Sequence, residues 1–211
     1  QETDQGDFIA EVTADRWSDL QSYVVSNNEP VVTPDLRSHP HMVYLPVDSS
    51  NAWLFYITRP LCPPRLAYSI FDKDEGWDKT QNPIPSDKLV GQMEEGSDLG
   101  SALKEGNDIV LYAAVDMGKN ESKAYRFKSS DKGNTWTADP LVVSGIDEPF
   151  RQRRLFVRVV KKGDTYYLSS QSHACHRWLS KSDDGINFEL VADFGKRPSF
   201  GNEMVDIEGT G

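Results

Sequence analysis

Acidic side chains recur along this chain at the heads of short apolar runs, with arginine or histidine often beside them. One group holds Asp35, Arg37, His39 and His41. The next holds Glu94, Glu95 and Asp98. A third holds Glu148, Arg151 and Arg153, and the last holds Asn202, Glu203 and Asp206. Carboxyl groups delivered from separate segments suit acid/base chemistry. Cleavage of a glycosidic bond needs two of them, one as acid and the other as base or nucleophile. A neighbouring charge tunes such pairs by favouring or disfavouring ionisation. Glu203 follows Gly201-Asn202 and precedes the alternating Met204-Val205-Asp206-Ile207, and is read as the general acid. Asp35 or Asp98 is read as the base; Asp98 opens a strand-like run after Glu95-Gly96-Ser97. Arg37, Arg151 and Arg153 are read as substrate-binding, because a guanidinium offers two parallel donors to a carboxylate. His39, His41 and Trp178 complete the expected substrate-binding set. For each residue taken singly the rival reading is a solvated loop charge, or for an arginine a salt bridge.

Other chemistries find less support. His39 and His41 have i,i+2 spacing and share one side of a strand, but Pro40 interrupts regular pairing and no third ligand stands nearby. His173 and His176 are oddly spaced and fall on opposite faces. No metal and no cofactor is expected. There is no G-x-S-x-G nucleophile elbow and no glycine-rich phosphate loop. Trp53, Trp77 and Trp136 occupy positions that suit core packing better than sugar stacking, while Trp17 stays open.

The elements that must position these residues are strands. Nine runs are short, rich in β-branched and aromatic residues, and bounded by turn formers. They are His41–Pro46, Ala52–Thr58 and Arg65–Ile70, then Leu99–Lys104, Asp108–Val115 and Lys123–Lys128, then Arg154–Val160, Thr165–Ser170 and Ala174–Ser180. Gly106-Asn107-Asp108 and Lys162-Gly163-Asp164 read as hairpin turns. The only helix candidate is about Thr13–Tyr23.

Each triplet of runs ends in a related turn. The clearest is Ser129-Ser130-Asp131-Lys132-Gly133-Asn134-Thr135-Trp136, the pattern S-x-D-x-G-x-T-W known as an Asp box. A short acidic side chain can hold a tight turn by accepting backbone amides. A degenerate copy is Ser182-Asp183-Asp184-Gly185-Ile186-Asn187-Phe188. Aligning Gly185 on Gly133 places Asp183 on Asp131, Phe188 on Trp136 and Lys181 on the first serine. A weaker copy is Asp72-Lys73-Asp74-Glu75-Gly76-Trp77. The glycines lie 57 and 52 residues apart, close to the roughly 40–55 residues of one four-stranded propeller blade.

The expected fold is therefore all-β: a β-propeller of four-stranded antiparallel blades in a single domain spanning 1–211. Three blades are read at about 36–90, 91–147 and 148–195, with 1–35 and 196–211 as partial or closing pieces. The head offers two possible strands, Phe8–Val12 and Gln21–Val25. Head and tail could join as one composite blade, but an open ring exposes sheet edges. The favoured reading is part of a longer propeller, completed by a missing segment or a partner chain. In such a ring the first strand of each blade lines the channel, and the acidic groups gather at its mouth.

Composition limits the partners. The net charge is −10 over 211 residues, which argues against nucleic acid, whose binding relies on Lys and Arg contacts to phosphate. Arg151-Gln152-Arg153-Arg154 is a local exception. No window is long and apolar enough for a membrane helix. A chain beginning with Gln fits a processed secreted or periplasmic protein. Asn120-Glu121-Ser122 is a glycosylation sequon. Cys62 and Cys175 could form one disulfide or remain two thiols.

The turns resemble those of sialidases and other secreted propeller proteins. The unit from Asp147-Glu148-Pro149-Phe150 through Arg154-Leu155-Phe156-Val157 and Thr165-Tyr166-Tyr167-Leu168 to Ser182–Phe188 resembles a blade of the five-bladed arabinanase, xylosidase and levanase-type glycoside hydrolases. His39–Trp77 is similar in layout, and the resemblance covers about 36–207. It implies a five-bladed propeller and a carbohydrate substrate. No R-D-P motif stands in an inner strand, and the late sialidase region has no counterpart, so the resemblance carries architecture and substrate class. The leading expectation is a secreted glycoside hydrolase. The rivals are a polysaccharide lyase using His39, His41, His176 and the arginines on a uronate-containing glycan, and a non-catalytic glycan-binding module.

Overall fold

The run from Ile109 to Val115 is apolar at every position, a pattern that suits a strand buried on both faces. The chain was analysed as a computed structural model, which describes residues 42–58, 65–78, 82–91, 93–94, 97–118, 121–146, 155–172 and 175–196. In it this run is β7 (Asp108–Asp116), at the heart of the middle one of three sheets.

The first sheet comprises β1 (Val43–Pro46), β2 (Asn51–Thr58) and β3 (Arg65–Asp72), with the short β4 (Gly76–Trp77) and β5 (Asn82–Pro83) both paired to β3. A one-turn helix, α1 (Ser86–Leu89), leads to the second sheet. That sheet is β6 (Asp98–Glu105), β7, β8 (Ser122–Ser129) and β9 (Thr137–Pro140), in sequence order. The third is β11 (Phe156–Lys162), β12 (Thr165–Gln171), β13 (His176–Ser182) and β14 (Asn187–Lys196). The short β10 (Val142–Ser144) lies parallel along the start of β14. Every other pairing is antiparallel. The fold is all-β, built of four-stranded antiparallel blades. The nine strand-like runs match β1–β3, β6–β8 and β11–β13 to within about two residues at each end, the usual scatter of element boundaries. The helix candidate Thr13–Tyr23, the head strands and the tail lie outside the described residues, as does Cys62. Helix α1 was not expected. Four residues after Pro85 are too few to display a helical period.

The sheets stack through two cores. Odd residues of β7 (Ile109, Leu111, Ala113, Val115) pack with Trp53, Phe55, Tyr68 and Trp136 between the first and second sheets. Even residues (Val110, Tyr112, Ala114) pack with Val157, Val159, Tyr166, Leu168 and Phe188 between the second and third. The period of two along a strand sends neighbours to opposite faces, so one apolar run serves both cores. Trp53 stacks on Tyr68 with ring centres 4.7 Å apart and meets Trp136 edge-on at 6.3 Å. Trp77 packs edge-on against Phe71 at 5.2 Å, on the other side of the first sheet.

The turn at Asp131 is held by its own side chains. Asp131 accepts from the Thr135 amide at 2.8 Å, the Thr135 hydroxyl at 2.6 Å and Ser129 Oγ at 2.9 Å. Ser129 Oγ in turn accepts the Gly133 amide at 2.8 Å. The later turn corrects the sequence alignment. Asp184, not Asp183, accepts the Ile186 and Asn187 amides, at 2.8 and 2.7 Å. Ser182, not Lys181, receives the Gly185 amide at 2.9 Å and donates to Asp184 at 2.8 Å. The Ser-x-Asp unit is preserved and the turn is one residue shorter after it, so aligning on the glycine misplaced the acid.

Each of these turns is also gripped by the preceding sheet. Tyr68 of β3 donates to the Gly133 carbonyl, and Tyr112 of β7 donates to the Gly185 carbonyl, both at 3.1 Å. Gly133 has φ +88°, and a Cβ there would lie 2.2 Å from the Tyr68 hydroxyl. The glycine is required by the turn and again by the phenol that docks on it.

Candidate active site

In this stack the first strands are neighbours: β6 lies beside β1 and beside β11. The backbones of β6 and β11 come close at Gly100, where a Cβ would sit 2.7 Å from the carbonyl oxygens of Tyr112 and Val157. The β6–β7 register slips between Leu99 and Ser101. Ser101 Oγ accepts the Val159 amide of β11 at 2.9 Å. A side chain larger than hydrogen at position 100 would force these strands apart.

That approach brings together Asp98, the first residue of β6, and Arg158 of β11. Asp98 is 2% exposed. Arg158 Nη1 lies 3.3 Å from Asp98 Oδ2 and donates to the carbonyls of Leu99 at 2.6 Å and Val157 at 2.8 Å. Burying a carboxylate is costly unless it is paired and hydrogen-bonded. Just upstream, Ser97 Oγ donates to the Glu94 carbonyl and accepts the Asp116 amide, each at 3.0 Å. These bonds fix the chain entering β6 and hence the position of Asp98. The arrangement is a buried carboxylate held at the head of an inner strand by the arginine of the neighbouring one.

Sequence reasoning singled out Asp98 but missed Arg158. Its signal was present: a lone cation inside the apolar run Leu155–Val160, where a strand facing only core would carry none. Asp35, Arg37, His39, His41, Glu148, Arg151, Arg153, Glu203 and Asp206 lie outside the described residues. Trp178 is placed on β13, 6% exposed, with its ring stacked on His176. Glu94 gives its amide to the Asp116 carbonyl at 2.8 Å. Among the described residues no group of three His, Cys, Asp or Glu side chains is arranged to hold a metal ion. None of their helices is long and apolar enough to cross a membrane.

A second polar cluster sits at the far end of β6. Glu105 receives Arg126 Nη2 at 2.6 Å and the Tyr166 hydroxyl at 2.5 Å, and Lys161 Nζ donates to that hydroxyl at 2.9 Å. Burial pushes the Tyr166 phenol up, and its bond to Glu105 adds to the shift. These partners engage one another across the second and third sheets, so this cluster reads as a staple between them.

No family model matches the chain, and no curated protein sequence does. Solved structures do match. A candidate glycosidase from Bacteroides thetaiotaomicron superposes with a TM-score of 0.51 at 15% identity, over 74% of this chain and 51% of its own. A candidate glycoside hydrolase from Bacteroides ovatus gives 0.51 at 16% identity, over 79% and 58%. The sialidase of Trypanosoma rangeli gives 0.51 at 12% identity, over 76% and 29%. At these identities the likeness concerns the fold. The chain spans about half the length of the two bacterial proteins.

Proposed function

We propose that this chain forms part of a secreted or periplasmic propeller enzyme that hydrolyses glycosidic bonds in a polysaccharide or oligosaccharide. The observation that carries the reading is Asp98, a buried carboxylate at the head of an inner strand, gripped by Arg158 of the neighbouring inner strand. Asp98 is the base or nucleophile, and Arg158 fixes it and keeps a positive charge beside it. Glu203 is the acid. Asp35 is the other candidate for the base. Arg37, Arg151, Arg153, His39 and His41 are the candidates for binding the sugar. The fold shared with the two Bacteroides proteins and the sialidase supports a carbohydrate substrate by analogy alone. The propeller is completed by further blades, so the activity belongs to the completed ring.

The test is incubation with arabinan, levan, β-mannan and polygalacturonate, following reducing ends and ultraviolet absorbance together. New reducing ends without absorbance are expected. Asp98→Asn, which keeps the shape and removes the charge, should lower kcat at least about a hundredfold, the scale of a lost acid/base group. Arg158→Met should lower it less, and Arg158→Lys should recover part. Full activity in Asp98→Asn sinks the assignment. Absorbance rising with the reducing ends makes the enzyme a lyase.

A further inference from the structure

Strands β13 and β14 carry a constellation that the proposed reaction leaves unused. His176 Nε2 lies 2.5 Å from Asp193 Oδ1 of β14. The His176 ring stacks flat on Trp178, with centres 4.3 Å apart and planes 6° apart. Asp193 Oδ1 also accepts the Gly195 amide at 2.7 Å. That amide first, and then His176, hold the Asp193 carboxyl below its usual range. The carboxylate engages Nε2 and so orients the ring, leaving Nδ1 as its other polar atom. One ring face is covered by the indole and one nitrogen is taken. The side chain is nonetheless 31% exposed, and Nδ1 has no partner among the described residues.

The position matters as much as the chemistry. Arg158 reaches Asp98 and Leu99, so β6 and β11 start at the same end of the stack. The ladder carries that level outward: Phe156 pairs with Gln171, Gln171 with Arg177, and Arg177 with Gly195. His176 and Asp193 therefore stand at the Asp98 end of the third sheet. The strand β13 is two strands from β11, about 10 Å at ~4.8 Å per strand. Among the described residues, Lys196 stands opposite His176 in register, and Arg177, next along β13, points to the other face and donates to Gln171 at 2.9 Å.

We propose that His176, oriented by Asp193 and backed by Trp178, is a second sugar-binding position, receiving a ring of the glycan outward from the one held at Asp98. The ring face turned away from Trp178 takes the C–H face of the sugar and Nδ1 hydrogen-bonds one of its hydroxyls, the combination of aromatic surface and few placed polar groups that small-molecule sites use. Trp178 acts through His176 rather than touching the sugar. The inference rests on the glycan reading above but not on hydrolysis.

The experiment uses the full chain with 15N-labelled histidine, the His176 ring signals being identified by their loss in His176→Gln. Arabino-oligosaccharides, levan oligosaccharides and sialyllactose are titrated in turn. One of them should shift the His176 ring signals saturably, and Asp193→Asn, which keeps the imidazole but loosens it, should weaken that binding about tenfold. Where hydrolysis is found, His176→Ala should raise KM and reduce kcat far less than Asp98→Asn does. A shift at His176 without hydrolysis by the completed propeller keeps the second position and sinks the hydrolase. Hydrolysis with an unchanged KM in His176→Ala sinks the second position and keeps the hydrolase. No shift with any probe overturns the proposal.

Discussion

Asp184 is a surface residue that does structural work through its charge. It accepts two backbone amides, the Asn187 side-chain amide and the Ser182 hydroxyl. The Asn187 bonds, followed by the Ile186 amide, hold its carboxyl far below the usual range. Asp131 is lowered likewise, first by the Thr135 hydroxyl and then by the Thr135 amide. A carboxyl whose folded value is depressed stabilises the fold fully above its unfolded value, about 3.9, and that contribution fades as pH falls toward the folded value. The melting temperature should therefore drop steeply below about pH 4. Asp184→Asn should lower Tm at pH 7 and converge on the parent as the acid form takes over. A Tm gap that is the same at pH 7 and at pH 2 would refute a charge-based role.

At the scale of elements, the link between consecutive sheets is a phenol resting on a turn. Tyr68→Phe removes the bond to the Gly133 carbonyl and should cost about 1 kcal/mol. Gly133→Ala adds a methyl 2.2 Å from that hydroxyl at a φ of +88°, and should cost more than about 1 kcal/mol. The double variant should be less destabilised than the sum of the two, because losing the hydroxyl relieves part of the clash. Urea unfolding of the four proteins measures this, and strict additivity would mean that the phenol and the turn do not share the contact. The turn itself was legible in the sequence from Ser129, Asp131, Gly133 and Trp136. The phenol was not, because Tyr68 is 65 residues from its partner and nothing local marks it. The one-residue contraction after Asp184 was hidden for a related reason: two adjacent aspartates fit the pattern, and only hydrogen bonds distinguish them.

Across the whole molecule, stability should be graded from the middle sheet outward. β7 is buried on both faces. Beyond Glu189, β14 has no outer partner strand among the described residues and carries Val191 and Phe194 about half exposed. Local openings cost least where contacts are few. Hydrogen exchange should be slowest in Ile109–Val115 and fastest, among the strands, in the second half of β14. Equal protection in the two would mean that β14 is covered in solution, the behaviour expected if a further blade packs along it.

The sequence by itself determined the kind of structure: period-two runs, their turns and the doubly apolar β7 follow from local rules that each strand obeys wherever it lies. It also placed Asp98 at the head of an inner strand, since Glu95-Gly96-Ser97 announces the turn that precedes it. What it could not decide was which side chains meet. Arg158 reaches Asp98 because Gly100 lets two inner strands approach across sheets. His176 finds Asp193 because β13 and β14 share one ladder. Both are contacts between residues distant in sequence, set by register and by the stacking of sheets, and only the tertiary structure carries that information.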